Sequence, residues 1–561
     1  MKTTYTYDHF YKYQEITDIL QGYVRDYPGY CRLTAIGTTT EGRDIWKFEL
    51  TDLTTGTFED KPGFCVTGNI HAGEVTGSMC AMFLLDYLLT NREEAEVAAL
   101  LKKVTVYCVP RISPDGSELY LTTPVQLRSV AKPHPFDDLQ PGVQPEDIDG
   151  DGVIRQMRVK SRHGIWKVSS KDSRVMTRRQ PDDVDGDFYN IYSEGMILDY
   201  DGLNVQPAPL HFGNDLNRNF PASWIHESKQ AGSGAYALSN VESRTMADFV
   251  YNQKNLCAVL NFHTMGGMYL FPPGCKPGKE AHKEDMDRYR AIGKMASEET
   301  TYPCINIKDD YIGNSSGSVV GAFDDFNHFV RGVMDYTCEC WDIDPRAGVP
   351  HQFPRPAKPS DEAEEDLFIA RLKWLDENNE GKGFLNWTKF DHPQLGEVEI
   401  GGLDYKGVIQ NCPVKFLPQE VQKHTRFVLR WLKTLPHLAF TDVSARDLGG
   451  GNWAIDAVVE NESYLPTYIT KEATTLKVVQ PLVASFEGDV EFISGKSRTE
   501  IGHLQGFSGV NFRYGHVGPI TTAHDPYAKK LSWVVKAEPG TEITLQVSGQ
   551  RAGKVTAVIK L

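Results

Sequence analysis

Residues 64–69 are apolar, β-branched or small, with no charge among them, and they run directly into His71, Ala72, Gly73 and Glu74. A run of that kind reads as a buried strand, and Glu74 to Leu89 reads as the helix that follows it. Strand-then-helix units of this type require a sheet covered by helices. His71 and Glu74 then stand at a strand's carboxyl end, where open α/β sheets make their crevices. Imidazole plus carboxylate suits zinc, provided a third ligand arrives from elsewhere and one position stays open for water. The spacing alone proves little, because a histidine and a glutamate three apart occur by chance in many proteins.

The same texture extends over most of the chain. A first helix is predicted over residues 9–27, strands over 31–36 and 45–51 around the Glu41, Gly42, Arg43 turn, and a further apolar strand over 104–109. From about 121 to 211 glycine, proline and acidic residues dominate; this long insertion is expected to hold short strands and turns and to shape the cleft. The scaffold resumes with a helix over 242–251, a strand over 256–262 ending at His263, a helix near 285–298 and a strand over 333–340 that carries Glu339. Acidic helical sequence follows over 360–377, and an amphipathic helix over 419–435 lies between Pro418 and Pro436. From 439 onward Val, Ile, Leu and Thr alternate with polar residues between glycine turns, Gly449, Gly450 and Gly451 among them. The expected organisation is an α/β domain over 1–438, with its insertion near 121–211, and a β-sandwich-like accessory domain over 439–561.

Composition narrows the partners. A formal charge of −16 without a compensating Lys/Arg block argues against nucleic acid and anionic membrane as partners. No membrane-length apolar run and no amino-terminal signal pattern stand in the chain as given, which favours the cytoplasm; a removed signal would make it secreted or periplasmic. The ten cysteines form no CxxC pair and sit mostly in apolar contexts, among them Cys80, Cys338 and Cys340, as buried free thiols.

Further residues complete the His71/Glu74 pair. Asn261, Phe262, His263 and Thr264 put a second histidine at a strand end, Tyr336, Thr337, Cys338 and Glu339 put a glutamate at another, and Asp215, Leu216, Asn217, Arg218 and Asn219 set an acid and a cation among amides. This ordered set resembles the funnel-type zinc carboxypeptidases over roughly residues 9–438. The resemblance implies a mixed central sheet flanked by helices and one catalytic zinc ion held by His71, Glu74 and His263. It implies Asp215 as the support of His71, Asn217 and Arg218 as the grip on a substrate's terminal carboxylate, and Glu339 as general base toward zinc-bound water. The expected activity is zinc-dependent release of a C-terminal residue from a peptide or peptide-like substrate with a free carboxylate.

Four assignments stay open at this point, the first three of them implied by the resemblance. The oxyanion arginine falls in the insertion, with Arg158 preferred and Arg155 in reserve, although either also suits an ordinary ion pair. The substrate-clamping tyrosine falls near Gly317 and Ser318, where none exists, and leaves Tyr311. Asp324, in the segment matching the side-chain pocket, points to C-terminal Lys or Arg. Asp147, Asp149 and Asp151 resemble the start of a calcium loop, for which Asp183, Asp185 and Asp187 are the candidate completing carboxylates of a structural Ca2+; an acidic turn is the simpler reading. A zinc amidohydrolase acting on a peptidoglycan stem peptide or a modified C-terminal amide, and an inactive peptide- or glycan-binding protein, are the alternative functions. Oligomeric state is not encoded in these features.

Overall fold

The computed structural model describes residues 1–313, 319–353 and 359–561. Its central sheet has eight strands: β1 (Cys31–Thr38), β2 (Asp44–Leu50), β3 (Gly63–Gly68), β4 (Thr105–Val109), β5 (Leu256–Thr264), β6 (Met268–Phe271), β7 (Cys304–Asn306) and β8 (Met334–Cys340). Their spatial order is β1-β2-β4-β3-β5-β8-β6-β7. The inner strands β4, β3, β5 and β8 run parallel, whereas β2 and β6 are antiparallel to their inner neighbours. The sheet is therefore mixed, as expected.

Seven helices matter for the site: α1 (Tyr13–Asp26), α2 (Val75–Thr90), α3 (Val241–Asn252), α4 (Lys283–Thr300), α5 (Phe323–Arg331), α6 (Asp361–Asn378) and α7 (Leu417–Leu432). Side chains alternate along the central strands, so each strand feeds two cores. Phe64, Val66, Leu260, Phe262, Tyr336 and Cys338 join α1, α2, α4 and α7 on one face. Cys65, Val259 and Val333 join α3 and α5 on the other. Helix α2 is buried almost all round, which its apolar sequence permits and solvent exposure would not. Its close seat depends on glycine: a Cβ on Gly77 would stand 2.7 Å from the Phe262 carbonyl oxygen, and one on Gly68 would stand 2.8 Å from the Gly77 backbone.

The insertion builds a sheet of its own. Strands Gln156–Lys160, Trp166–Val168, Met176–Arg178 and Tyr189–Ser193 combine with the hairpin Phe384–His392 and Gly396–Leu403 into six strands, with Glu399 registered opposite Arg158. That hairpin lies outside the insertion in the chain. Its partners are too short to show a period, so the pairing was not visible in the pattern.

The last part of the chain is a sandwich of two four-stranded antiparallel sheets around Ile455, Trp533, Leu545 and Ile559. Gly449, Gly450 and Gly451, all at positive φ, turn its first hairpin between Leu438–Gly449 and Asn452–Asn461. The sandwich is docked through buried polar contacts. The Arg551 guanidinium donates to the backbone carbonyls of Arg331 and Gly332, and the Asp285 carboxylate accepts from the amides of Lys471 and Glu472.

Arg551 is 2% exposed, and burial pushes its pKa down to about 10. Arg551→Met is expected to destabilise the protein by about 1–3 kcal/mol for each carbonyl left without a donor. Denaturant unfolding checks this, and an unchanged midpoint would show that the docking contacts contribute nothing.

Candidate metal centre

His71, Glu74 and His263 meet at the carboxyl ends of β3 and β5. Asn69, at a positive φ of 54°, turns the chain out of β3, and its side-chain amide donates to the carbonyls of His71 and Ala72 at 3.1 and 3.2 Å. Glu74 caps the amino end of α2, where the helix dipole favours a carboxylate. In the parallel pair β5/β8, His263 is registered opposite Glu339. Register alone thus places the third ligand beside the candidate base.

The donors converge. His71 Nδ1 lies 2.9 Å from Glu74 Oε1, His263 Nδ1 lies 3.0 Å from Glu74 Oε2, and the two Nδ1 atoms are 3.2 Å apart. All three side chains are buried, and Glu74 Oε2 has no hydrogen-bond donor aimed at it. Lone pairs facing one another across a dry gap are costly unless a cation lies between them. Two imidazoles and a carboxylate are the donor set of a three-ligand zinc site with an open position, so these residues fit the metal. The local charge agrees: burial lowers the His263 pKa, but Glu74 outweighs it and raises it to about 9.

Asp215 orients the first ligand. Its Oδ1 is 3.1 Å from His71 Nε2, so Nε2 donates to it and Nδ1 keeps its lone pair for the metal. Burial raises the Asp215 carboxyl, yet the charges of Arg128, His71 and Arg218 together hold it well below the usual range. Asn217 and Arg218 follow in the short turn Leu216–Arg218; the Asn217 amide donates to Asp215 Oδ1 at 2.9 Å, and Asn217 Oδ1 accepts from the Phe323 amide at 2.8 Å. Arg218 is half-buried and bonds the Asn217 carbonyl. Asp324 is buried in the first turn of α5, and burial raises its carboxyl against the nearby charges of His263 and Arg218. Burial also pushes Glu339 up to about 7, with the Glu74 charge adding and the His263 and Arg128 charges opposing.

Arg128 is the residue that sequence reading missed. Its Nε donates to Asp215 Oδ2 at 2.9 Å, and its Nη1 is 3.6 Å from Glu74 Oε1. Leu127, Ser129 and Val130 around it are buried, which fixes its place without leaving a pattern in the sequence. Arg158 is corrected by the structure. It sits in the insertion sheet, ion-paired to Glu399 at 2.8 Å, with its guanidinium 4.8 and 4.7 Å from the ring centres of Tyr189 and Trp387. Arg155 pairs with Asp151 and lines a cavity of about 860 Å³ that also reaches Gln126, Met265 and Tyr405 beside the metal group.

Tyr311 lies in the turn Ile307–Ile312 and packs with Met268, Leu270 and Ile307. Gly317 and Ser318 lie outside the described residues. The acidic loops do not come together as expected. Asp147 and Asp149 approach the buried Glu194, which accepts from the amides of Ile148, Asp149 and Arg155, while Asp151 binds Arg155. Asp183 and Asp187 pair instead with Lys167 and Lys160, and Asp185 is exposed.

The family model described as zinc carboxypeptidase matches residues 16–369. The chain belongs to the zinc carboxypeptidase family. Its His71, Glu74, His263 cluster is the family's zinc-binding triad. Residues 437–560 match a second family, described as a domain of unknown function. Among individual relatives, human carboxypeptidase D is 27% identical over 110 residues, 19% of this chain and 8% of that protein. A zinc carboxypeptidase of Saccharothrix mutabilis subsp. capreolus is 29% identical over 118 residues, 21% of this chain and 27% of that protein. The match therefore spans under a tenth of carboxypeptidase D. Among solved structures, thrombin activatable fibrinolysis inhibitor aligns over 76% of this chain and 74% of its own, at 14% identity and a TM-score of 0.43. Carboxypeptidase A from Helicoverpa armigera aligns over 67% and 74%, at 15% identity and a TM-score of 0.39. No helix among the described residues is long and apolar enough to cross a membrane.

The contacts of the two arginines separate their roles. Arg128→Gln, which removes the guanidinium beside Asp215 and Glu74, is expected to lower kcat/KM on a cleaved peptide by about 10²–10³-fold. Arg158→Met is expected to cost about 1–3 kcal/mol of stability and leave kcat/KM unchanged. Peptidase assays and melting curves on both variants check the pair, and the reverse pattern would restore Arg158 to the site.

Proposed function

We propose that this protein is a zinc-dependent metallocarboxypeptidase that removes the C-terminal residue of a peptide, with preference for Lys or Arg. The observation that carries the reading is Glu339 in register beside His263, with the Asn217 amide on Asp215, the carboxylate that orients His71, and Arg218 next along the same turn. Arg218 binds the substrate's terminal carboxylate as a charge-assisted, bidentate partner, and this sets the cut one residue from the end. His71, Glu74 and His263 would hold the zinc. When bound, it supplies Lewis acidity for the scissile carbonyl and lowers the pKa of water.

The chain's own groups do the proton work. Glu339 takes a proton from the attacking water and returns it to the departing amine, a role suited to a carboxyl raised toward neutrality. Arg128 faces the negative charge that builds on the carbonyl oxygen. Asp215 keeps the His71 proton on Nε2 and holds Arg128 at the same time, so one carboxylate orients a ligand and an oxyanion donor. Asp324, buried near Arg218, supplies the negative charge that receives a basic side chain.

A varied peptide library read by mass spectrometry tests the reading. Sequential loss of single C-terminal residues is expected, abolished by a chelator, restored by zinc and absent from peptides with an amidated C-terminus. Glu339→Gln is expected to reduce kcat by about 10²–10⁴-fold; internal cuts, or full turnover by this variant, would overturn the proposal. Asp324→Leu is expected to move preference from Lys and Arg toward apolar residues by about tenfold or more. An unchanged profile would remove Asp324 from the specificity pocket.

A further inference from the structure

Behind the strand that carries Glu339, three thiols and an imidazole gather that the proposed peptidase chemistry does not use. Alternation along β8 sends Glu339 to the α5 face and Cys338 and Cys340 to the opposite face, toward α2 and α7. Cys340 Sγ lies 3.9 Å from Cys80 Sγ on α2 and 3.7 Å from Cys338 Sγ. Cys338 Sγ lies 3.6 Å from His424 Nδ1 on α7. Cys80, Cys340 and His424 each offer a ligand atom within 4.8 Å of the others. All four residues are buried.

Three of these spacings, Cys340–Cys80, Cys340–Cys338 and Cys338–His424, match those of a coordination sphere, and Cys80 and Cys338 must draw together for all four donors to share one ion. With metal–sulfur bonds of about 2.3 Å, a tetrahedral site sets its sulfurs about 3.8 Å apart and a nitrogen slightly closer. The imidazole is oriented as a ligand would be. Glu420 Oε1 lies 3.4 Å from His424 Nε2, and that carboxylate is itself fixed by the Tyr302 hydroxyl and by the Trp341 amide at 3.1 Å. A carboxylate on Nε2 keeps the proton there and turns the Nδ1 lone pair toward the sulfurs, as Asp215 does for His71. The Tyr269 hydroxyl, 2.7 Å from Nδ1, occupies that lone pair without metal and is the contact an ion must displace.

We propose that Cys80, Cys338, Cys340 and His424 form a second, structural zinc site. Thiolate and imidazole donors select zinc over magnesium or calcium, and four protein ligands leave no position for substrate. The ion would pin β8, which carries Glu339, to α2, which begins at the zinc ligand Glu74, and to α7. Its function is to hold the base and the catalytic ligand at a fixed separation.

The test uses the full chain saturated with zinc sulfate and then freed of excess metal. Elemental analysis is expected to find about two zinc ions per chain, falling to about one in His263→Ala, which damages only the catalytic set. Loaded with cobalt chloride, His263→Ala is expected to keep a thiolate-to-cobalt charge-transfer band, since the catalytic donors contain no sulfur. X-ray absorption on its zinc form should show zinc–sulfur scattering at about 2.3 Å. No metal in His263→Ala, or metal without the sulfur signature, overturns the proposal whether or not the wild type cleaves peptides. Cys80→Ser with Cys338→Ser should abolish the sulfur signature; the wild-type and His263→Ala measurements decide the matter if that double variant does not fold.

Discussion

The site depends on the register of three parallel strands. β3, β5 and β8 end together because Gly68 pairs with Phe262 and His263 pairs with Glu339. A one-residue slip of β5 would turn His263 to the α2 face and bring Phe262 to the cleft. Side-chain chemistry at the metal is thus set by backbone hydrogen bonds in the middle of a sheet. The glycines at 68 and 77 complete the constraint, since any side chain there would lift α2 off the strands and carry Glu74 away from both histidines.

That dependence explains what could be read from the sequence. His71, Glu74, His263 and Glu339 each follow or terminate a buried apolar run, so the pattern that marks the strand also marks the ligand's place. Helices α1, α2, α4, α6 and α7 announce themselves by length and by their caps or prolines. The period that revealed them needs several turns to show, and short strands were legible only where an apolar run marked them. The strands of the insertion are three to five residues long, and one of them, Gln156–Lys160, also pairs with a strand some two hundred and forty residues away.

Arg128 and Glu194 were illegible for a different reason. Each acts from irregular backbone whose position is fixed by tertiary contacts: Arg128 by Asp215, and Glu194 by the amides of Ile148, Asp149 and Arg155. Arg158 is preferred in the sequence only because the resemblance puts the oxyanion arginine in the insertion, where Arg155 and Arg158 both stand. Arg158 has a packing explanation, a guanidinium held between Tyr189 and Trp387 with Glu399 as counter-charge. A cation near a predicted cleft carries information only when the acid that would aim it is also identified.

The accessory domain bears on the same strands from their other ends. Lys554 pairs with Asp60, just before β3; the Cys257 thiol at the start of β5 donates to the Arg551 carbonyl; and the Arg551 guanidinium holds the carbonyls of Arg331 and Gly332, just before β8. Each strand whose carboxyl end contributes to the metal group is thus gripped near its amino end by the sandwich. None of the residues lining the large cavity beside the site comes from beyond Ile409. A domain that binds at the amino ends and is absent from that cavity meets the site only through the strands whose register sets His263 beside Glu339.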